Sequence, residues 1–132
     1  MYADLHLHTN FSDGTFTPEE LAEHGQRVGL SAMALTDHDT VDGCARMTVA
    51  CGERGIEFVT GCEFTVEHDG NELHLLGYFL DLENDRLRGE LAKYQKVRRN
   101  RIHEMVVKLN ELGVKITSDD VMKIANCDSP GR

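Results

Sequence analysis

The chain has 132 residues, 40% of them hydrophobic and 28% charged, with a formal net charge of −9. That is the length of one ordinary domain and the composition of a soluble globular protein, and no apolar run approaches the length needed to cross a bilayer. The acidic balance argues against a general nucleic-acid binder and against stable binding of duplex DNA. The opening Met-Tyr-Ala-Asp-Leu-His lacks the basic-then-apolar pattern of a signal peptide, so the cytoplasm is the expected compartment.

Tyr2 to His8 alternates Ala3, Leu5 and Leu7 with Asp4, His6 and His8, the period of two expected of a strand. A loop from Asn10 to Thr17 carries Ser12-Asp13-Gly14. Thr17-Pro18-Glu19-Glu20 then predicts a helix start, with Thr17 as N-cap, Pro18 in the first turn and acids at the positive end of the dipole. Leu21, Ala22 and Val28 are its expected inward face, and Gly29 its stop. Ser31 to Thr36 reads as a short buried strand ending at Asp37-His38-Asp39. A second helix is expected from about Val41 to Arg54, closed by Gly55. Ile56 to Val66 and Glu72 to Leu80 form a predicted hairpin around Asp69-Gly70. From Asn84 to Leu112, apolar residues recur at steps of three and four, predicting a long helix ended by Gly113. Thr117 or Ser118 caps a last short helix through Ala125.

The order strand-helix-strand-helix-strand points to an α/β domain with parallel pairing among the early strands. Right-handed crossovers place the C-terminal ends of those strands on one edge, where ligand sites gather in such folds. The four cysteines, Cys44, Cys51, Cys62 and Cys127, contain no Cys-x-x-Cys pair and read as free thiols of a reducing compartment. Between Arg86 and Lys108 stand eight basic side chains against two acids. Such a segment either attracts an anion or forms a solvated helix face.

His6 and His8, two apart on a strand, point to the same side. The pair is equally compatible with chelating one metal ion and with being ordinary strand histidines. Asp13 before Gly14 is by itself a turn signal. Asp37, His38 and Asp39, directly after an apolar strand, are costly to bury unless a metal or a solvated loop satisfies them, and Asp39 could cap the next helix. Glu63 interrupts an apolar strand, and a carboxylate can bridge two cations. His74 lies among apolar neighbours, where a lone histidine is more often a core residue. His24, His68 and His103 are set aside, because they fall on a helix face, at a turn and in the basic helix. Together four histidines with Asp and Glu offer nitrogen and oxygen without thiolate, a mix suited to Mn, Fe or Zn in a catalytic site, and in numbers that suggest more than one ion.

Four motifs carry a resemblance to a known family. They are Asp4-Leu5-His6-Leu7-His8-Thr9-Asn10-Phe11-Ser12-Asp13-Gly14, Thr36-Asp37-His38-Asp39, Gly61-Cys62-Glu63-Phe64 and His74-Leu75-Leu76-Gly77-Tyr78. In this order they resemble the opening motifs of the PHP (polymerase and histidinol phosphatase) superfamily, in its branch of metal-dependent phosphoesterases acting on nucleotide phosphates. The resemblance implies the N-terminal part of a distorted (βα)7 barrel, residues 1–83, and the start of an inserted helical subdomain, residues 84–132. It implies up to three divalent ions: His6, His8 and Glu63 on one, Glu63 and His74 on a second, Asp13 and His38 on a third. Arg98 and Arg101 become candidates to grip substrate phosphate, since Arg98-x-x-Arg101-x-x-x-Met105-x-x-x-Leu109 resembles the family's helical insertion. Asp37 is a candidate to orient a ligand histidine.

The activity so implied is hydrolysis of phosphate esters of nucleotides or short oligonucleotides by a metal-activated water. The alternatives are a non-catalytic metal-binding module and a phosphatase of the histidinol-phosphate type. The chain ends at Ser129-Pro130-Gly131-Arg132, where the family pattern continues as Gly-Arg-Pro-His, and such a barrel takes roughly 250 residues. The expectation is therefore an N-terminal fragment with weak metal binding and little activity alone, and with an open barrel edge able to self-associate.

Overall fold

The computed structural model describes residues 2–127 and 129–131. Strands β1 (Tyr2–Leu7), β2 (Leu30–Leu35), β3 (Glu57–His68) and β4 (Asn71–Tyr78) form one sheet in chain order. Helix α1 (Pro18–Arg27) links β1 to β2, and α2 (Cys44–Gly52) links β2 to β3. The long α3 (Asp85–Glu111) and short α4 (Ser118–Ala125) follow β4. β1, β2 and β3 pair in parallel, whereas β3 and β4 are antiparallel.

Local chemistry explains most of these elements. Thr17 caps α1 in a reciprocal capping box with Glu20, and Thr117 does the same with Asp120 at α4. Asp69 and Gly70 both take positive φ, the conformation a two-residue hairpin turn requires, and so pair His68 with Asn71. Gly29, Gly55 and Gly113 take positive φ just past α1, α2 and α3. Two expectations need correction. Val28 is 57% exposed rather than inward, because it is the C-cap where the chain turns on Gly29 and leaves the helical stripe. α2 starts at Cys44 rather than near Val41, because Thr40 and Val41 first close a turn by accepting from the Asp42 and Cys44 amides.

The core lies between the sheet and the α1–α2 layer. Leu21 and Ala22 of α1, Met33 and Leu35 of β2, and Cys44, Met47, Ala50 and Cys51 of α2 are its buried members, with Ile56 entering β3. The three thiols buried here and in β3 are unpaired, and burial pushes that of Cys44 up to about 11, so they act as small apolar groups.

β3 is unusually productive in pairing. Its first part, Glu57 to Thr60, runs beside β2, and its second, Gly61 to His68, beside β4. An isolated parallel bridge carries the β2 line onward to set His38 beside Glu63. The sheet curls enough that Tyr78 of β4 donates its hydroxyl to the Leu5 carbonyl of β1, 2.8 Å away, although these strands are its two edges.

Candidate metal centre

The curl turns the strand ends inward on a single carboxylate. Glu63 is 4% exposed, and its Oε2 lies 2.8 Å from His6 Nε2 and 3.0 Å from His8 Nε2. Its Oε1 lies 2.7 Å from His74 Nδ1. His38 stands behind, with Nδ1 3.8 Å from Glu63 Oε2 and Nε2 3.4 Å from Asp13 Oδ2. Asp13 Oδ1 is 3.4 Å from His8 Nδ1. All six candidate ligands are thus in one cluster. His24, His68 and His103 have their polar contacts elsewhere: His24 with Arg27, His68 with Asp69, His103 with Ser118.

Three overlapping groups in this cluster could each hold an ion: His6, His8 and Glu63; His8, Asp13 and His38; and His38, Glu63 and His74. In each, one donor atom per residue lies within 4.8 Å of the others. The donor set fits divalent metal on a second ground as well. His38 Nδ1 is buried without a hydrogen-bond partner among the described residues, a costly state for a polar atom unless something binds it.

The electrostatics favour the ligating forms of both central groups. Burial opposes ionisation of Glu63, but the hydrogen bond from His6, the charge of His38 and the hydrogen bond from His74 outweigh it and hold its carboxyl below the usual value. Burial, helped by the nearby Arg98 charge, pushes His38 down against the pull of Asp13 and Glu63. Both shifts mean that the unfolded chain binds the proton more tightly. Their stability contributions are therefore complete above the ordinary pKa values, and are lost as pH falls through the folded ones. The metal-free protein is expected to lose thermal stability steadily as pH is lowered from 7 through 4. Histidine NMR titration should show His38 protonating at lower pH than an unperturbed imidazole, and protonation at or above the ordinary value would contradict this.

The loop after β1 is held from beneath. Asp37, 1% exposed, accepts from the Thr9 amide at 2.7 Å, the Thr9 hydroxyl at 2.5 Å and the Ser12 hydroxyl at 2.6 Å. None of these partners is a histidine; Ser12 Oγ, 3.5 Å from His8 Nδ1, is the link between Asp37 and the cluster. Asp39 does not cap α2, whose N-cap is Gly43 without a side-chain bond. It accepts instead from the Thr65 amide and hydroxyl and from Arg98. Gly14 closes the same loop so tightly that a Cβ there would strike the His8 carbonyl and Thr9 Cα. Gly14→Ala is expected to cost about 2 kcal/mol, because the obstructing atoms are backbone. Urea unfolding measures this, and a loss under 0.5 kcal/mol would place the loop elsewhere.

The two arginines separate. Arg98 is 8% exposed, and its guanidinium reaches Asp39 Oδ2 at 2.6 Å, Thr65 Oγ1 at 2.8 Å and the Pro130 carbonyl at 3.3 Å. These contacts engage each of its three guanidinium nitrogens. Arg101 donates to Glu72 Oε2 at 2.8 Å, and Glu72 Oε1 stands 3.4 Å from His74 Nε2. Residues near the end of the chain also reach the cluster. Cys127 Sγ contacts the Ser12 carbonyl, and Ser129 Oγ donates to the His38 carbonyl. Arg132 lies outside the described residues.

Sequence reasoning missed Thr9, Ser12, Thr65, Glu72 and Ser129. Hydroxyls and a surface-type glutamate carry no distinctive spacing. The usable signal was position alone, since Thr9 and Ser12 flank the His-x-His strand end and Glu72 stands two residues before His74.

This is an α/β sheet with a histidine–carboxylate cluster gathered at its curled edge, and sequence comparison places it in a family. The PHP domain profile matches residues 4–122, and the chain belongs to that family. It is 32% identical over 123 residues to a 5'-3' exoribonuclease of Haemophilus influenzae, covering 93% of this chain and 45% of that protein. It is also 32% identical over 127 residues to a 3',5'-nucleoside bisphosphate phosphatase of Chromobacterium violaceum, covering 96% of this chain and 44% of that protein. A crystal structure from Bifidobacterium adolescentis, assigned as a metal-dependent phosphoesterase, superposes with a TM-score of 0.85 at 36% identity, over 92% of this chain and 42% of the other. The chain thus spans less than half the length of these relatives, and its sheet corresponds to the N-terminal part of a PHP-type barrel.

Proposed function

We propose that this chain contributes the metal-binding half of a phosphoesterase that hydrolyses nucleotide phosphate esters. The observation carrying this reading is the Glu63 carboxylate, shared between His6 and His8 on one oxygen and His74 on the other. A carboxylate so placed suits adjacent cations. His6, His8, Asp13, His38, Glu63 and His74 would hold the ions, with Mn, Fe and Zn the candidates by donor type. Divalent ions bound there supply Lewis acidity, activating water and neutralising charge on a phosphoryl group.

The protein's own part is to aim the ligands. Asp37 stiffens the loop that carries His8 and Asp13. Glu72, braced by Arg101, faces the imidazole edge of His74 away from Glu63. A carboxylate on the far nitrogen of a ligating histidine sets its tautomer and raises its basicity. Arg101, which lines the adjoining cavity with its side chain 33% exposed against 9% for Arg98, is the better placed of the two arginines for substrate phosphate. In this reading residues 84–132 form a helical unit over the barrel segment 1–83. The exposed edge strands β1 and β4 favour self-association. The buried thiols of Cys44, Cys51 and Cys62 suit the cytoplasm, and no helix among the described residues is long and apolar enough to cross a membrane.

The relatives' substrates set the assay. With Mn added, the chain is expected to release phosphate from a nucleoside 3',5'-bisphosphate or to shorten a small RNA, more slowly than the full-length Chromobacterium violaceum relative. Bound metal at more than one equivalent should accompany turnover. A well-folded chain that takes up no metal would instead indicate a non-catalytic module.

A further inference from the structure

Beside the centre lies a cavity of about 530 Å³. Tyr94, Val97 and Arg101 of α3 line one side, and Thr65, Glu67 and Glu72 of the β3–β4 hairpin the other. Asp39 and Arg98 also line it, and they are nearly removed from solvent: side-chain exposure is 1% for Asp39 and 9% for Arg98. Asp39 sits in the left-handed region at φ 51, immediately after His38. That conformation is uncommon outside glycine and persists where surrounding contacts over-determine it. The contacts are there: Asp39 accepts from Thr65 through both carboxylate oxygens, from Arg98 Nε, and at its carbonyl from Gln95 Nε2.

We propose that Asp39 and Arg98 are positioning residues, a buried latch that fixes α3 against the strand ends and so sets the width of the cavity in which a phosphorylated ligand binds. The latch joins residues 59 apart in sequence. Among the described residues it is the buried ion pair joining α3 to the end of β2, and one helical turn further on it leaves Arg101 over Glu72 and His74. Arg98 thereby acts through α3, not through contact with phosphate. A buried pair is a weak source of net stability but a strong source of geometry, because either charge left alone is costly.

The proposal rests on the phosphoesterase reading for its ligand, yet its own test is separate. The probes are hydrogen exchange along α3, and the affinity of the Mn-loaded chain for inorganic phosphate, for wild type, Asp39→Asn, Arg98→Lys and the double variant. With the latch, Asp39→Asn and Arg98→Lys each lower α3 protection about tenfold, while amides of β2 and β3 keep theirs. Each weakens phosphate binding about tenfold, and the double variant is no worse than either single one, as expected of two residues acting as a unit. If Arg98 instead grips phosphate directly, Asp39→Asn frees its guanidinium. Phosphate then binds as tightly as in wild type or more so, and only Arg98→Lys weakens it, which would overturn the proposal. Unchanged α3 protection in both single variants would overturn it too. Should Asp39→Asn fail to fold, Thr65→Val removes one hydroxyl from the same network, and a loss of α3 protection of about threefold is the expected result; none would count against the latch. A wild-type chain that binds no phosphate refutes the phosphoesterase reading, and α3 exchange then decides the latch alone.

Discussion

Glu63→Gln is expected to weaken Mn binding by on the order of 100-fold or more, the largest functional effect of any single change in this chain. The loss of a shared ligand should at least match the upper end of what removing a partner of a ligand costs. The amide keeps one acceptor oxygen and nearly the shape of the carboxylate, so the metal-free fold should survive. His6, His8 and His74 all converge on this side chain, and the uncharged amide gives them neither the second acceptor nor the charge. Thermal unfolding separates the two effects. Metal at 100 times its Kd adds about 2.7 kcal/mol to the wild type. That corresponds to a shift of roughly 10 °C for a domain of this size, and most of it should vanish in the variant. A variant that retains the full metal-induced shift would remove Glu63 from the centre.

Asp37→Ala is expected to have the largest effect on stability, about 3 kcal/mol, measured by urea unfolding. The side chain accepts from the Thr9 amide, the Thr9 hydroxyl and the Ser12 hydroxyl, and both Asp37 and Thr9 are fully buried. Alanine leaves the Thr9 donors in a dry place without an acceptor, and each such group costs about 1–3 kcal/mol. Asp37→Asn retains one acceptor oxygen and should lose about half as much. Because Ser12 adjoins His8 and Asp13, the alanine variant should also bind Mn about tenfold more weakly. Unaltered stability in the alanine variant would mean that the loop is held by other contacts.

The elements legible in the sequence were those with a local cause. The Thr17 capping box, the Asp69-Gly70 turn and the glycines ending three helices act within a few residues of themselves, and each stands where its chemistry predicts. The long α3 was legible in its limits and much less so in its buried face. Leu91, Ile102 and Val106 are buried as apolar periodicity suggests, but Val97 and Leu112 are exposed, and the charged Arg98 takes an inner position. Periodicity ranks residues by oiliness, and an arginine with a buried partner violates that ranking.

The candidate ligands were also legible, because imidazoles and carboxylates on apolar strand ends are costly without a purpose. Their residue types and order came from the sequence alone. Tertiary structure decided how they are shared. The curl of the sheet brings His6 of β1 and His74 of β4 to opposite oxygens of Glu63, and no spacing along the chain encodes that curvature. It also decided the hydrogen-bond partners of Asp37, Asp39 and Arg98. Each is an ionisable residue near the site, and each finds its partners across a crossover, in Thr9 and Ser12 for Asp37 and in one another and Thr65 for Asp39 and Arg98. A side chain's chemistry is a local property of the sequence, but whether a buried charge meets a metal, a substrate or another charge depends on which distant strand or helix the fold sets beside it.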